Sequence, residues 1–212
     1  ISSSCVYPKL SPQPIKESYL LSGKLEETNS AYAIAKIMGM RAIQAYREQY
    51  GYKWISVMPT NLFGKYDNFS LNNGHLLPAL IRKFNDAKFQ NSSEVTLWGT
   101  GTPRRELMSS ENFAKALLFV CENYDSEQPI NIGTGVDHTI LEIAKMVSET
   151  TQFNGSINWD HSKPDGTPRK LLDITKLVNL GYTEKYDLHK DIMKVNAWFV
   201  ENYFKNPSSL RL

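Results

Sequence analysis

Stretches with apolar residues at helical spacing alternate in this sequence with short apolar runs that end in turn residues, and this alternation restricts the possible folds more than any other feature. Residues 30–50 carry Ala31, Ile34, Met38, Ala42, Ala45 and Tyr46 at helical spacing, with Ser30 placed to cap, and predict one long amphipathic helix. The run Trp54-Ile55-Ser56-Val57-Met58 then reads as a buried strand. Pro59 ends it, because proline has no N–H to give a ladder, and Pro59-Thr60-Asn61 turns the chain. The same pair recurs as a helix capped by Ser109 or Ser110 and running to about Asn123, then a strand at 129–132 that enters Gly133-Thr134-Gly135. Thr139-Ile140-Leu141-Glu142 fits a capping box that opens another helix. Leu188, Ile192, Val195 and Phe199 mark one face of a last helix, after which Asn206-Pro207-Ser208-Ser209 reads as a frayed tail. Helices alternating with short apolar strands predict an α/β fold on a parallel sheet. The expected division is a first domain over 1–66 and a second, smaller lobe over 67–212, with 109–135 returning to the first.

Composition narrows the class of partner. With 212 residues, 41% of them hydrophobic, the chain has material for a sizeable core and two lobes. The balance of 24 basic against 22 acidic residues lacks the clustered positive charge that backbone binding to nucleic acid requires, so nucleic acid is not an expected partner. The longest apolar run, Ala116 to Cys121, is too short to span a bilayer, and no charged-then-apolar leader is visible, so no membrane partner and a cytoplasmic location are expected. The two cysteines, Cys5 and Cys121, read as free thiols of a reducing compartment. His138, His161 and His189 are scattered without ligand spacing, and no metal is predicted. Gly133-Thr134-Gly135 follows a strand but has His138 where a dinucleotide fingerprint needs its third glycine, so it reads as a structural turn.

Candidate chemistry centres on Tyr32-Ala33-Ile34-Ala35-Lys36, which sets a phenol and an ammonium four residues apart on one helix face. Positive charge favours a phenolate, the form that takes a proton, so the pair is a candidate acid/base unit. The spacing alone is common on surface helices. Ser3, on a turn with Tyr7-Pro8 just after it and one connection before Tyr32, supplies the context.

A serine followed by Tyr-x-x-x-Lys resembles the catalytic arrangement of the short-chain dehydrogenases. Further stretches are similar to the extended members of that family that epimerise and reduce nucleotide sugars: Ser3-Ser4-Cys5-Val6-Tyr7-Pro8-Lys9, Met58-Pro59-Thr60-Asn61-Leu62-Phe63-Gly64, Asp67-Asn68-Phe69, Trp98-Gly99-Thr100-Gly101-Thr102-Pro103-Arg104-Arg105-Glu106 and Lys163-Pro164-Asp165-Gly166-Thr167-Pro168-Arg169-Lys170. The resemblance implies an α/β fold, a truncated Rossmann-type parallel sheet with a smaller C-terminal substrate-binding lobe. Residues 1–66 would be the C-terminal part of the NADP-binding domain. The Gly-rich phosphate loop of such domains does not occur in this sequence, and a chain of these residues alone is expected to be inactive.

The implied reaction is NADPH-dependent: epimerisation at C3 and C5 of GDP-4-keto-6-deoxy-D-mannose, then reduction at C4. By resemblance, Ser3 and Tyr32 hold the reacting carbonyl, Lys36 grips the nicotinamide ribose, and Cys5 and His75 move protons on and off carbon. Ser2, Ser3, Ser4, Lys36, Pro59, Thr60, Asn61, Leu62 and His75 are the implied cofactor contacts. Lys83, Trp98, Arg105 and Asp165 are the implied contacts to the GDP-sugar, where a guanidinium suits phosphate and an indole can stack on a ring. A homodimer is implied, built on the helix that bears Tyr32. Two alternatives share part of this set: a nucleotide-sugar 4-epimerase, which needs no second proton-shuttling pair, and a non-catalytic nucleotide-sugar-binding scaffold. A dehydratase is disfavoured, because it carries an acidic pair where this chain has Ser4 and Cys5.

Overall fold

A computed structural model describes residues 1–205 and 207–212. Asn206, at the head of the expected frayed tail, lies outside the described residues, and Pro207–Ser209 form a 3-10 turn instead of loose chain. The helices are α1 (Ser30–Tyr50), α2 (Leu76–Phe89), α3 (Ser110–Asn123), α4 (Ile140–Thr151), α5 (Thr175–Asn179) and α6 (Leu188–Lys205). The strands are β1 (Val57–Pro59), β2 (Asn61–Phe63), β3 (Glu94–Trp98), β4 (Arg104–Arg105), β5 (Leu107–Ser109), β6 (Ile130–Ile132), β7 (His138–Thr139), β8 (Ser156–Asp160) and β9 (Arg169–Lys170). The chain forms two compact units: Ile1–Leu62, Arg105–Asp137 and Arg169–Tyr186 make the first, and Phe63–Arg104, His138–Pro168 and Asp187–Leu212 the second. The return of 169–186 to the first unit is a segment the sequence did not announce.

In the first unit β1 and β6 run parallel, with Val57 opposite Ile130 and Pro59 opposite Ile132. Successive strand residues point to opposite faces, and both faces are covered. Val57, Ile130 and Ile132 pack with Phe113, Ala116 and Val120 of α3 and Leu177 of α5. Met58 points the other way, to Ile37 and Met40 of α1 and to Val6 and Tyr7. This is the Rossmann-like arrangement, a parallel sheet with a helix on either side.

Three local expectations need correction. The first strand begins only at Val57, and Trp54 is 49% exposed, outside any strand. Pro59 stands inside the ladder, not beyond it. It is tolerated because successive N–H groups of a strand point to opposite neighbours, and the bonds to β6 fall on the other parity, Ile130 N to Ser56 O and Thr60 N to Ile132 O, each 3.0 Å. Helix α1 has the expected bounds but not the expected cap or face. Asn29 is its N-cap, Ser30 Oγ donates instead to Glu27 O, and Gly51 closes the helix at φ 68°. Its buried side chains are Ala33, Ile37 and Met40, whereas Ile34 (59% exposed) and Met38 (69%) face outward.

The second unit pairs β3 with β8 in parallel, Glu94 opposite Ser156 through Trp98 opposite Asp160. Val95 and Leu97 are buried while Glu94, Thr96 and Trp98 are exposed, the alternation of a strand with one covered face. Leu77, Ile81 and Phe84 of α2, Ile143 and Val147 of α4, and Ile192, Val195 and Phe199 of α6 are the buried faces of its helices. Asn85 donates to Asn196 Oδ1 at 2.7 Å, tying α2 to α6 inside the core. The capping box at the head of α4 forms as expected: Glu142 N donates to Thr139 Oγ1 at 3.0 Å and Thr139 N to Glu142 Oε2 at 2.7 Å. Ser109 likewise caps α3 through Asn112 N.

Candidate active site

In the first unit the chain enters alongside β1, where Ser2 N donates to Val57 O at 2.8 Å. It then bends into a one-turn 3-10 helix, Ser4–Val6. Ser3 caps that turn in extended conformation, with its Oγ accepting from Cys5 N at 3.2 Å. The turn is anchored from below. Tyr7 is buried and its hydroxyl donates to Asn131 Oδ1 at 2.6 Å, while Asn131 N donates to Glu17 Oε1 at 3.0 Å and Asn131 Nδ2 to Ile15 O at 2.9 Å. Burial, with the Glu17 charge adding to it, pushes the Tyr7 phenol far above the usual range, so it serves as a fixed hydrogen-bond donor.

Helix α1 presents Tyr32 and Lys36 beside this turn. Lys36 Nζ lies 5.6 Å from the centroid of the Tyr32 ring and donates to Ile1 O at 3.1 Å. The ammonium thus lies over the Tyr32 ring and bonds the backbone that leads into Ser2, Ser3 and Ser4. Ser2 Oγ is buried and has no hydrogen-bond partner among the described residues. Cys5 is half-buried as a free thiol, and its Sγ accepts from Lys170 Nζ at 3.4 Å.

The expected turn at 59–61 is instead a one-residue break, Thr60, between β1 and β2, and this junction is held by a buried acid. Thr60 Oγ1 and Asn61 Nδ2 donate to the backbone oxygen of Glu106 at 3.2 and 2.9 Å. The Glu106 side chain, fully buried, accepts from Thr134 N (2.5 Å) and Gly135 N (2.8 Å) on Oε1 and from Leu172 N (2.9 Å) on Oε2. Burial pushes its carboxyl above the ordinary range, against the pull of these donors. Gly133 is obligatory here, since a Cβ would run into the Glu106 carboxylate. The Gly133-Thr134-Gly135 turn therefore cradles a protein carboxylate. Arg105, next in line, is half-buried on β4.

The remaining candidates lie in the second unit. His75 is exposed at the N-cap position of α2 and makes no side-chain cap bond. Lys83 is half-buried, donates to Thr96 O at 2.5 Å, and is held below the usual lysine range by desolvation. Trp98, 68% exposed at the end of β3, has Lys163 Nζ 5.7 Å from its ring centroid. Asp165 accepts from Thr100 N at 2.9 Å on one oxygen and from Thr100 Oγ1 at 2.7 Å on the other, which fastens the turn after Trp98. Ser3, Cys5, Tyr32, Lys36, residues 59–62 and Arg105 belong to the first unit, and His75, Lys83, Trp98 and Asp165 to the second.

Residues 1–133 match the family model described as the NAD dependent epimerase/dehydratase family. The chain belongs to that family. Among curated proteins it is 46% identical over 211 residues to the GDP-L-fucose synthase of Escherichia coli K12, covering 95% of this chain and 66% of that protein. It is 48% identical over 202 residues to GDP-L-fucose synthase 1 of Arabidopsis thaliana, covering 95% of this chain and 62% of that one. A crystal structure of a GDP-L-fucose synthetase from Naegleria fowleri bound to NADP superposes with a TM-score of 0.92 at 32% identity, over 100% of this chain and 67% of that chain. The chain thus spans about 62% of the length of the plant relatives it matches. The Rossmann-like α/β fold seen here is the fold of these neighbours.

Two residues with evident roles went unassigned in the sequence, Glu106 and Lys170. Both sit inside the stretches that carried the family resemblance, but nothing local marks an acid as buried or a lysine as a neighbour of sulfur. Among the described residues no cluster of His, Cys, Asp and Glu is placed to hold a metal ion, and no helix is long and apolar enough to cross a membrane.

Proposed function

We propose that the protein is a GDP-4-keto-6-deoxy-D-mannose 3,5-epimerase-4-reductase that uses NADPH and forms GDP-L-fucose. The observation that carries the reading is the position of Lys36, whose ammonium lies beside the Tyr32 phenol and on the chain segment that holds Ser3. The names of the relatives support the substrate. The residues present fit the cofactor: Ser2 Oγ is a buried hydroxyl lacking a partner among the described residues, Lys36 has ammonium protons left after its bond to Ile1 O, and Pro59, Thr60, Asn61 and Leu62 span the β1–β2 junction, which Glu106 holds from behind. His75 completes the implied cofactor contacts. NADPH, when bound, supplies the two electrons that reduce C4.

The rest is done by side chains. A C–H next to a ketone becomes acidic when the developing enolate oxygen is held by donors, the task of Ser3 and Tyr32. Cys5 and His75 remove and return the protons at C3 and C5, roles for which a thiol and an imidazole are suitable acid/base groups. Tyr32 then gives its proton to the C4 oxygen as that carbon is reduced, and the Lys36 charge stabilises the phenolate left behind. Lys83 and Arg105 suit the diphosphate and Trp98 a ring face, while Asp165 acts by fixing the turn that follows Trp98. The outward Ile34 and Met38 of α1 give a homodimer an apolar stripe to bury.

The test is to supply the purified full-length protein with GDP-4-keto-6-deoxymannose and NADPH, follow NADPH oxidation, and identify the sugar by NMR. GDP-L-fucose is expected from the native protein. Cys5→Ser is expected to yield far less of the epimerised sugar while still binding cofactor. No oxidation of NADPH with this substrate would refute the reading.

A further inference from the structure

Lys170 is placed to do more than cover the surface. Its backbone is pinned on both sides: Glu106 N donates to Lys170 O at 3.2 Å, Leu171 N to Gln13 Oε1 at 2.8 Å, and Leu172 N to Glu106 Oε2 at 2.9 Å. The half-buried side chain then delivers its ammonium to Cys5 Sγ at 3.4 Å, across 165 residues of sequence. Cys5 itself is fixed by its own N–H, which donates to Ser3 Oγ at 3.2 Å. Both partners are therefore held by separate, ordered pieces of backbone.

A neutral thiol is a weak acceptor, so an ammonium aimed at one gains little from it. The same bond becomes charge-assisted, and about twice as strong, when the sulfur is a thiolate. We propose that Lys170 is a positioning residue for proton transfer at Cys5, stabilising the thiolate in every turn of the cycle. This rests on the reading of Cys5 as an epimerisation residue. When the thiolate takes a proton from carbon, an S–H bond forms, the C–H bond breaks, and its electron pair moves into the enolate whose oxygen Ser3 and Tyr32 hold. When the thiol returns a proton, the electrons flow back to carbon and the sulfur regains its negative charge. Lys170 keeps its own protons throughout, so it touches no reacting atom of the sugar and acts only through Cys5.

The experiment compares Lys170→Met and Lys170→Arg in the full-length protein. One arm measures the rate at which iodoacetamide alkylates Cys5 at neutral pH, read on the Cys5 peptide by mass spectrometry, with exposed Cys121 as the internal reference. The other measures deuterium uptake from solvent at the epimerised carbons of GDP-4-keto-6-deoxymannose. Lys170→Met is expected to slow Cys5 alkylation about tenfold, to slow exchange similarly at unchanged substrate KM, and to leave the Cys121 rate alone. Lys170→Arg, which retains the charge, is expected to stay within about threefold of the native rates. Native alkylation of Cys5 in Lys170→Met overturns the proposal. So does a Lys170→Arg variant as slow as Lys170→Met, because shape and not charge would then be what matters. If the native protein exchanges no deuterium into this sugar, the functional reading falls, while the alkylation arm still decides whether Lys170 governs the thiol.

Discussion

Replacing Glu106 by glutamine removes a charge and almost no volume, and it tests whether this buried carboxylate organises the first unit. The carboxylate offers only acceptors, and the structure uses both oxygens: Oε1 takes the N–H groups of Thr134 and Gly135, Oε2 that of Leu172. An amide has one accepting oxygen and an NH2 that only donates. In its better orientation the oxygen keeps Thr134 and Gly135, and the NH2 meets the Leu172 N–H head-on. At least the Leu172 N–H is then unsatisfied, at a cost of about 1–3 kcal/mol. Relief from desolvating a charge offsets part of this, and loss of charge assistance in the bonds that remain adds to it. For a chain of this size each kcal/mol corresponds to about 2–4 °C in Tm, so a fall of about 2–12 °C is expected by calorimetry. Amide exchange should quicken at Leu172, and the KM for NADPH should rise more than kcat falls, because Thr60 and Asn61 hang on the Glu106 backbone oxygen. A Glu106→Gln protein with native Tm and native protection at Leu172 would refute the reasoning.

Lys36→Met is expected to lower kcat for C4 reduction by about a hundredfold or more while leaving Tm nearly unchanged, since among the described residues the side chain makes one hydrogen bond, to Ile1 O, and one exposed contact with the Tyr32 ring; steady-state kinetics beside calorimetry will show it. Gly99 sits at φ 79° with the Asp165 carboxylate where a Cβ would go, so Gly99→Ala should cost about 1–3 kcal/mol by denaturant titration and weaken GDP-sugar binding in calorimetry. Glu142 is held below the usual carboxylate range, chiefly by the Thr139 N–H. A carboxyl with a lowered folded value contributes stability above its unfolded value and loses it as pH falls through the folded one. Exchange protection of the first turn of α4 should therefore drop on acidification below the ordinary carboxylate range, and Glu142→Gln should abolish that pH response. Met38→Glu is expected to shift the protein from dimer to monomer in sedimentation; a native protein that is monomeric at all concentrations would remove the basis for that expectation.

How much of this could be read in the sequence depends on the range of the interactions involved. The Thr139 to Glu142 box and the Ser109 cap close within three residues, and both form as the residue types require. The bounds of α1 are local too, but its buried face is not. Ala33, Ile37 and Met40 form one apolar row and Ile34 and Met38 another one step round the helix, so periodicity offers two faces and only packing against Val6, Tyr7 and Met58 chooses between them. The same distinction governs the site. The spacing of Tyr32 and Lys36 puts them on one helix face, but the roles proposed for Ser3, Cys5, Tyr32 and Lys36 come from the resemblance of their stretch to the family. The supporting contacts are not local: Glu106 meets Thr134 and Leu172 at separations of 28 and 66 residues, and Lys170 meets Cys5 at 165. No propensity or motif encodes a contact at that distance. It follows from the fold, which brings residues 59–62, the turn after β6 and the segment 169–172 into one unit. The proposed catalytic groups thus lie in one short stretch of sequence, and the groups that would position them are brought there by topology. Substitutions at Glu106 and Lys170 should therefore change activity without changing which reaction is catalysed.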